Sequence, residues 1–213
     1  FFAMIAGFFM ARFKMHPFIS TMANMLIIFG LVTYATKGVS FGAIDPAIPN
    51  IFIPKAGRFP MIILWAIIAV VVVWFIWNKT TFGKNLYAVG GNPEASTVSG
   101  ISVFKVTMGA FIMAGILYGF GSWLECLRMV GSGSAAYGQG WDMDAIAACV
   151  VGGVSFTGGI GKISGVVTGV LIFTSLTYSL TILGIDTNLQ FIFEGIIILA
   201  AVTLDCLKYV QKK

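Results

Sequence analysis

The sequence predicts an all-α fold, a polytopic bundle of helices embedded in a membrane. Of its residues, 58% are hydrophobic and only 10% are charged, and the mean hydropathy is +0.96. A soluble domain carries about 25% charged residues. The apolar residues also form several runs with almost no charge, each close to the length that crosses a bilayer as a helix.

These runs follow one another along the chain and predict about six complete spans. The clearest runs from Phe59 to Trp77, 19 residues without a charge, and would measure about 28 Å as a helix. Two others are interrupted by a single titratable residue, His16 or Glu194. The remaining runs are Met15 to Thr36, Val106 to Leu124, Ala145 to Gly161, Ile163 to Ile185 and Leu189 to Leu204.

The chain starts inside an apolar run, Phe1 to Ala11. This run has no initiator Met and no basic region followed by a cleavage site, which is unlike a signal peptide. We expect it to be the truncated end of a further, partial span. The 213 residues would then form a single transmembrane domain, the C-terminal part of a longer protein.

The segment from Ala145 to Gly161 is the least regular of the expected spans. It contains two glycine pairs, Gly152-Gly153 and Gly158-Gly159. Irregular backbone is tolerated at membrane depth where protein or a water-filled cavity surrounds it. We expect an irregular crossing here, and a broken or re-entrant element is the alternative.

The basic residues give the bundle an orientation. If residues 78–105 lie in the cytoplasm and each run crosses once, most Lys and Arg side chains fall on the cytoplasmic side, as the positive-inside rule prefers. The C-terminus is then cytoplasmic. Nine of the 13 basic residues lie inside: Arg12, Lys14, Lys79, Lys84, Lys105, Lys162, Lys208, Lys212 and Lys213.

The polar segment 78–105 contains the signals of a short capped helix. Asn92 is a favourable N-cap, Pro93 fits the first helical position, and Glu94 suits the positive end of the helix dipole. Gly100 can adopt the left-handed conformation that ends a helix. The segment therefore predicts a helix of about two turns in a cytoplasmic loop.

A helix this short is marginal in water, so we expect it to pack against something. Ala95, Val98 and Ile101 are spaced three apart and form an apolar stripe. The stripe predicts a docking surface for a partner protein.

Small residues at intervals of four predict close helix packing, because lipid supplies no hydrophobic drive between helices. Such spacing is common to transporters, receptors and assembly factors, so it indicates a packed bundle without specifying its function. The glycines are Gly115 and Gly119 in one expected span, and Gly161, Gly165 and Gly169 at another.

No motif indicates an enzyme, a cofactor or a bound metal. The segment from Gly158 to Ser164 differs from a phosphate-binding loop in spacing and in the residue after Lys162. The cysteines Cys126, Cys149 and Cys206 lack metal-binding spacing. The basic residues are scattered at helix ends and not gathered on a soluble face, so membrane orientation explains them better than nucleic-acid binding does.

Polar residues within expected spans are candidates for a substrate pathway. Asn24 lies halfway along its run, and Gln190 and Glu194 are four apart on one helical face. Each has a structural alternative, namely a hydrogen bond to a neighbouring helix or contact with water at the outer mouth.

Several segments together resemble the permease subunits of ATP-binding-cassette importers. Glu94-Ala95-Ser96 followed by Gly100 is similar to the EAA loop of these permeases, with Ser in place of the second Ala. Three further segments resemble the ribose/xylose/galactose branch, and the last of them is similar to its galactose members. They are Thr81 to Asn85 with Ala88 to Ile101, Asp144 to Phe156 with Gly158, Gly159 and Gly161, and Leu204 to Tyr209.

This resemblance implies a monosaccharide importer in the bacterial inner membrane. Its partners would be a cytoplasmic ABC ATPase, a periplasmic or extracellular sugar-binding protein, a second permease copy in a homodimer, and membrane lipid. Asn92, Glu94, Ala95, Val98, Gly100 and Ile101 would couple to the ATPase. The alternatives are a secondary transporter driven by an ion gradient, which needs a buried charged pair or relay, and an intramembrane enzyme, for which the sequence has no nucleophile or metal set.

Overall fold

A computed structural model of the chain describes residues 1–40, 42, 44, 45, 47–56, 59–155 and 157–210. Across these residues the fold is helical apart from one small antiparallel ladder, β1 (Lys55–Ala56) with β2 (Phe59–Pro60). The all-α expectation is confirmed at this level. Of the residues used above, Phe156, Lys212 and Lys213 lie outside the described ones.

The chain divides into two compact units. The first comprises Phe1–Leu86 and Glu94–Tyr137, and the second comprises Tyr87–Pro93 and Gly138–Lys213. The first contains α1 (Phe2–Phe13), α2 (Pro17–Thr36), α3 (Ala47–Phe52), α4 (Ile62–Lys79), the start of α5 (Thr81–Gly91), nearly all of α6 (Pro93–Val98) and α7 (Val103–Arg128).

In the first unit, α1 packs against both α2 and α7. Small residues bring α1 and α7 together, because a β-carbon at Gly7 would lie 2.7 Å from that of Phe111. The buried Ser20 hydroxyl donates a hydrogen bond to the carbonyl of Ala6, at 3.0 Å. This bond ties α2 to α1 where lipid offers no polar partner.

Aromatic side chains join α3, α4 and α7 at one end of this unit. Trp65 lies edge-on to both Phe120 and Trp123, and Phe52 lies edge-on to Trp123. The indole N–H of Trp65 donates to the carbonyl of Phe52, at 2.9 Å. Aromatic residues with a polar group are typical of the membrane–water interface, so this cluster indicates where the helices leave the membrane.

The end of α7 is fixed to the segment that follows it. Arg128 Nε donates to Glu125 at 2.8 Å, and Tyr137 donates its hydroxyl proton to the same carboxylate. The hydrogen bond to Glu125 raises the pKa of Tyr137, since deprotonation would leave two anions in contact.

The second unit contains α8 (Trp141–Val151), α9 (Ile163–Ile182) and α10 (Thr187–Val210), together with the end of α5. The helix α8 packs against α9 and α10. Its buried residues Ala147 and Ala148 form a small core with Phe173, and Ile197 and Ile198 pack against that core.

Four helices are long and apolar enough to cross a membrane, and they correspond to four of the expected spans. They are α2, α4, α7 and α9, with 18 to 26 residues each. Along α4 none of the described residues is buried, as expected of a surface that meets lipid or further membrane helices. The chain is therefore a multi-pass membrane protein.

The segment from Ala145 to Gly161 differs from a regular span. The helix begins earlier, at Trp141, and ends at Val151, so its 11 residues measure about 16 Å, roughly half the hydrocarbon thickness. Glycines from Gly152 onward end it, with Gly153 at φ +81°. The broken element considered as the alternative fits this geometry better than a continuous helical crossing.

Candidate functional site

The short helix expected in the polar segment is present as α6, Pro93–Val98. Asn92 is the residue between α5 and α6. At the other end, Gly100 has φ +82°, its N–H donates to Thr97 at 3.0 Å, and the N–H of Ile101 donates to Ser96 at 2.9 Å. These two bonds form a Schellman motif, which satisfies carbonyls that the helix leaves unpaired.

The helix has a buried side and an exposed side. Ser96 is 4% exposed, whereas Val98 is 91% exposed. Glu94 and Ala95 are also exposed, and Ile101 is half-buried. Two of the three residues of the predicted apolar stripe, Ala95 and Val98, are therefore open to a partner, while Ile101 is largely committed to the fold.

The last turns of α5 contact a glycine-rich loop, residues 152–162, that joins α8 to α9. The Tyr87 hydroxyl donates to the carbonyl of Gly161 at 2.7 Å. One turn later, a β-carbon at Gly90 would lie 2.8 Å from the backbone N of Gly159. Backbone therefore meets backbone, with no space for a side chain between them.

A shallow cleft of about 420 Å³ lies beside this contact, and Tyr87, Gly152, Gly165 and Lys162 are among its lining residues. Lys162 stands at the N-cap of α9 with no side-chain cap hydrogen bond. Tyr87, Gly90 and the loop belong to the same unit, so Lys162 lies at the same end of that unit as the residues leading into α6.

The three polar candidates for a substrate pathway have different surroundings. Asn24 is half-buried in the middle of α2. Gln190 donates its amide protons to Ile185 at 3.0 Å and to Thr181 at 3.4 Å, so it holds the turn between α9 and α10. Glu194 is half-buried in α10 and hydrogen-bonded to Asp144.

The glycines expected at helix contacts fall into two groups. A β-carbon at Gly165 would lie 2.2 Å from the carbonyl O of Gly152, and a β-carbon at Gly169 would lie 2.1 Å from the carbonyl O of Ala148. A β-carbon at Gly115 would lie 2.8 Å from the β-carbon of Ala3. These glycines make close contacts. A β-carbon at Gly119 would meet nothing within 4 Å, and Gly161 precedes α9 and borders Val154 at 3.3 Å.

Two contacts in the second unit were absent from the sequence expectations. Asp144 pairs with Glu194, and Gly90 meets Gly159. In both pairs the partners are far apart in sequence. The glycine pairs were a visible signal, although their spacing identifies flexible backbone without identifying what approaches it.

Four apolar helices and a short, end-capped helix in a loop between them define a multi-pass membrane protein. Residues 1–202 match the family described as the branched-chain amino acid transport system/permease component. The chain belongs to this family.

Curated relatives include sugar import permeases. The chain is 56% identical to the galactose/methyl galactoside import permease protein MglC of Treponema pallidum, over 100% of the chain and 41% of that protein. It is 44% identical to MglC of Escherichia coli, over 99% of the chain and 64% of that protein. It is 34% identical to the L-arabinose transport system permease protein AraH of E. coli, over 98% of the chain and 62% of that protein.

These relatives confirm the resemblance to the sugar branch of importer permeases. The chain spans 41% to 64% of the length of these three relatives. No solved structure matches the chain.

Proposed function

We propose that this chain is the membrane-spanning part of a permease subunit of an ATP-binding-cassette importer for a monosaccharide. The observation that carries the proposal is similarity along nearly the whole chain to permeases whose names differ mainly in the sugar. Two of these relatives carry the name galactose/methyl galactoside import permease at 56% and 44% identity, so a galactose-type sugar is the first candidate and ribose the second.

In this proposal α6 is the coupling helix, and segment 78–105 is the cytoplasmic loop that receives an ABC ATPase. Asn92, Glu94 and Gly100 fix the ends of the helix, and Ala95 and Val98 provide apolar contact, with Ile101 behind them. A Schellman motif makes the C-terminal end rigid, so a push on α6 moves the flanking chain instead of unwinding the helix. The permease makes and breaks no covalent bond, and ATP hydrolysis takes place on the partner.

The same proposal places the protein in the bacterial inner membrane with its C-terminus in the cytoplasm. The contact of Gly90 with Gly159 supports this orientation, because it puts Lys162 at the same end of its unit as the residues leading into α6. Six spans then require residues 189–204 to cross as a helix and residues 145–161 to cross as a broken element, with a helix only as far as Val151. A homodimer, a sugar-binding protein on the outer side and surrounding lipid complete the assembly, since many apolar helix faces are exposed in one chain.

Asn24 and Glu194 are the proposed polar residues of the sugar pathway. Sugar hydroxyls donate and accept hydrogen bonds, and amide and carboxyl groups supply both functions. Both side chains are half-buried on membrane helices. Gln190, which was also a candidate, uses its amide protons within the turn between α9 and α10, so its proposed role is to orient α10 and Glu194.

The test is sugar uptake by cells that express the protein from its own gene together with the ATPase and the binding protein. We expect accumulation of radiolabelled galactose or ribose that stops when ATP is depleted and continues when the proton gradient is collapsed. Deleting residues 92–101 should abolish both uptake and recovery of the ATPase in a pull-down. Uptake that survives ATP depletion and fails with the proton gradient would contradict the proposal and favour an ion-driven transporter.

A further inference from the structure

The contact between the end of α5 and the glycine-rich loop is built from backbone atoms alone at its centre. A β-carbon at Gly158 would lie 2.7 Å from the carbonyl O of Gly90, and one at Gly159 would lie 2.6 Å from the α-carbon of Gly91. Both loop glycines have positive φ, +94° and +72°. The loop thus adopts a backbone conformation that favours glycine, and adopts it where α5 approaches most closely.

Hydrogen bonds connect the described residues of the loop to one another and to α8. The N–H of Ser155 donates to the carbonyl of Ile160 at 3.0 Å, and its hydroxyl lies 2.9 Å from that of Thr157. The N–H of Val154 donates back to Cys149 in α8, also at 3.0 Å. Because these bonds tie described residues of the loop to one another and to α8, a displacement at Gly159 is passed to the end of α8.

Both flanking helices are in close contact next to the loop. At Gly165 in α9, a β-carbon would lie 2.2 Å from the carbonyl O of Gly152 at the end of α8. Such tightly packed backbone transmits a shift without side-chain rearrangement. The other end of the connection is covalent, because Asn92 is the single residue between α5 and α6.

We propose that the Gly90–Gly159 contact, together with the Tyr87–Gly161 hydrogen bond, carries the movement of the coupling helix to α8 and α9. These are positioning residues: they transmit a displacement and touch neither ATP nor sugar. The inference rests on the proposed function, since it requires α6 to be the helix that the ATPase moves.

The chain offers a matched pair of substitutions. Gly90→Ala inserts a methyl group 2.8 Å from a backbone nitrogen that no rotamer change can displace, so the end of α5 and the loop must separate. Gly91→Ala adds the same methyl group one residue later in the same helix, where nothing lies within 4 Å. Tyr87→Phe removes the hydroxyl that binds Gly161 and adds no volume.

The experiment uses the full-length permease reconstituted with its ATPase and sugar-binding protein. It compares the recovery of ATPase by the permease, the rate of ATP hydrolysis and the amount of radiolabelled sugar imported per ATP. The sugar is the one, galactose or ribose, that wild-type vesicles accumulate. The amount of sugar imported per ATP distinguishes a defect in transmitting the movement of α6 from a defect in folding. A loss of folded protein lowers import and coupled hydrolysis together and leaves this ratio unchanged.

We expect Gly90→Ala to recover the ATPase as wild type does and to lower sugar imported per ATP about tenfold, within the range for substitutions along a coupling network. Gly91→Ala should match wild type, and Tyr87→Phe should lower the ratio about threefold. If Gly90→Ala fails to fold, the sugar imported per ATP by Tyr87→Phe tests the inference in its place.

The inference would be overturned if Gly90→Ala and Gly91→Ala imported the same amount of sugar per ATP, or if Tyr87→Phe left this ratio unchanged. It would also be overturned if folded Gly90→Ala no longer recovered the ATPase. Failure of the wild type to recover any ATPase would instead overturn the proposed function. The two failures are therefore distinguishable.

Discussion

The side-chain carboxyl groups of Asp144 in α8 and Glu194 in α10 are hydrogen-bonded to each other. An ionised carboxylate only accepts hydrogen bonds, so the pair needs one proton to act as the donor. The contact between α8 and α10 at this point therefore requires a hydrogen-bond donor on one of the two side chains.

Substitutions at Asp144 test this requirement for a hydrogen-bond donor. Asp144→Asn supplies an amide N–H donor, so this variant should keep the contact between α8 and α10 and be at least as stable as the wild type. Asp144→Leu removes every hydrogen-bonding atom of the side chain at this position and should lower the stability by about 1–3 kcal/mol. Thermal unfolding of the purified protein measures both variants, and equal stability of the Asn and Leu variants would contradict a role for this hydrogen bond in holding α8 to α10.

The sequence predicted the features that depend on local chain chemistry. Most of the uncharged run from Phe59 to Trp77 lies in α4, which begins at Ile62, because a helix satisfies every backbone group within a membrane. The end of α6 was predictable from Gly100, since few other residues accept its φ of +82°. These elements need no information about distant residues.

The features that were not predicted depend on pairing across the sequence. Glu194 was paired only with Gln190 on its own helix, and its contact with Asp144 was not predicted, because neither position specifies the other. Segment 145–161 was expected to be an irregular crossing, but its sequence did not reveal that the helix ends at Val151 or that the glycines beyond it approach Gly90. Similarly, the interval of four placed Gly119 among the packing glycines, although packing depends on which helix lies opposite.

Gly100 tests the cap of α6 without a steric change. A β-carbon there would meet nothing within 4 Å, so any effect of substitution comes from the left-handed backbone. Gly100→Val should cost about 1–2 kcal/mol and uncouple transport, whereas Gly100→Asn should retain most activity because Asn tolerates this conformation. Sugar uptake and ATPase recovery measure both variants, and normal uptake by Gly100→Val would refute the role of the cap.

Val98 tests the docking surface. Because its side chain is 91% exposed, substitution should leave folding unchanged and affect only what binds there. Val98→Asp should weaken recovery of the ATPase about tenfold, as expected for an apolar residue at the centre of an interface. Val98→Leu keeps the surface apolar and should bind as the wild type does. Equal recovery for the Asp and Leu variants would place the docking surface elsewhere.

Substitutions at Gly165 and Gly119 distinguish the effect of helix packing on stability from the effect of helix propensity, since both glycines lie within long apolar helices. Gly165→Ala places a methyl group 2.2 Å from the carbonyl of Gly152, whereas Gly119→Ala meets nothing within 4 Å. The first should destabilise the protein by about 1–3 kcal/mol through overpacking. The second should be neutral or stabilising by up to about 1 kcal/mol, because Ala favours a helix more than Gly does. Thermal unfolding in detergent compares the two, and a Gly165→Ala protein as stable as Gly119→Ala would mean that α8 and α9 are not held together by this backbone contact.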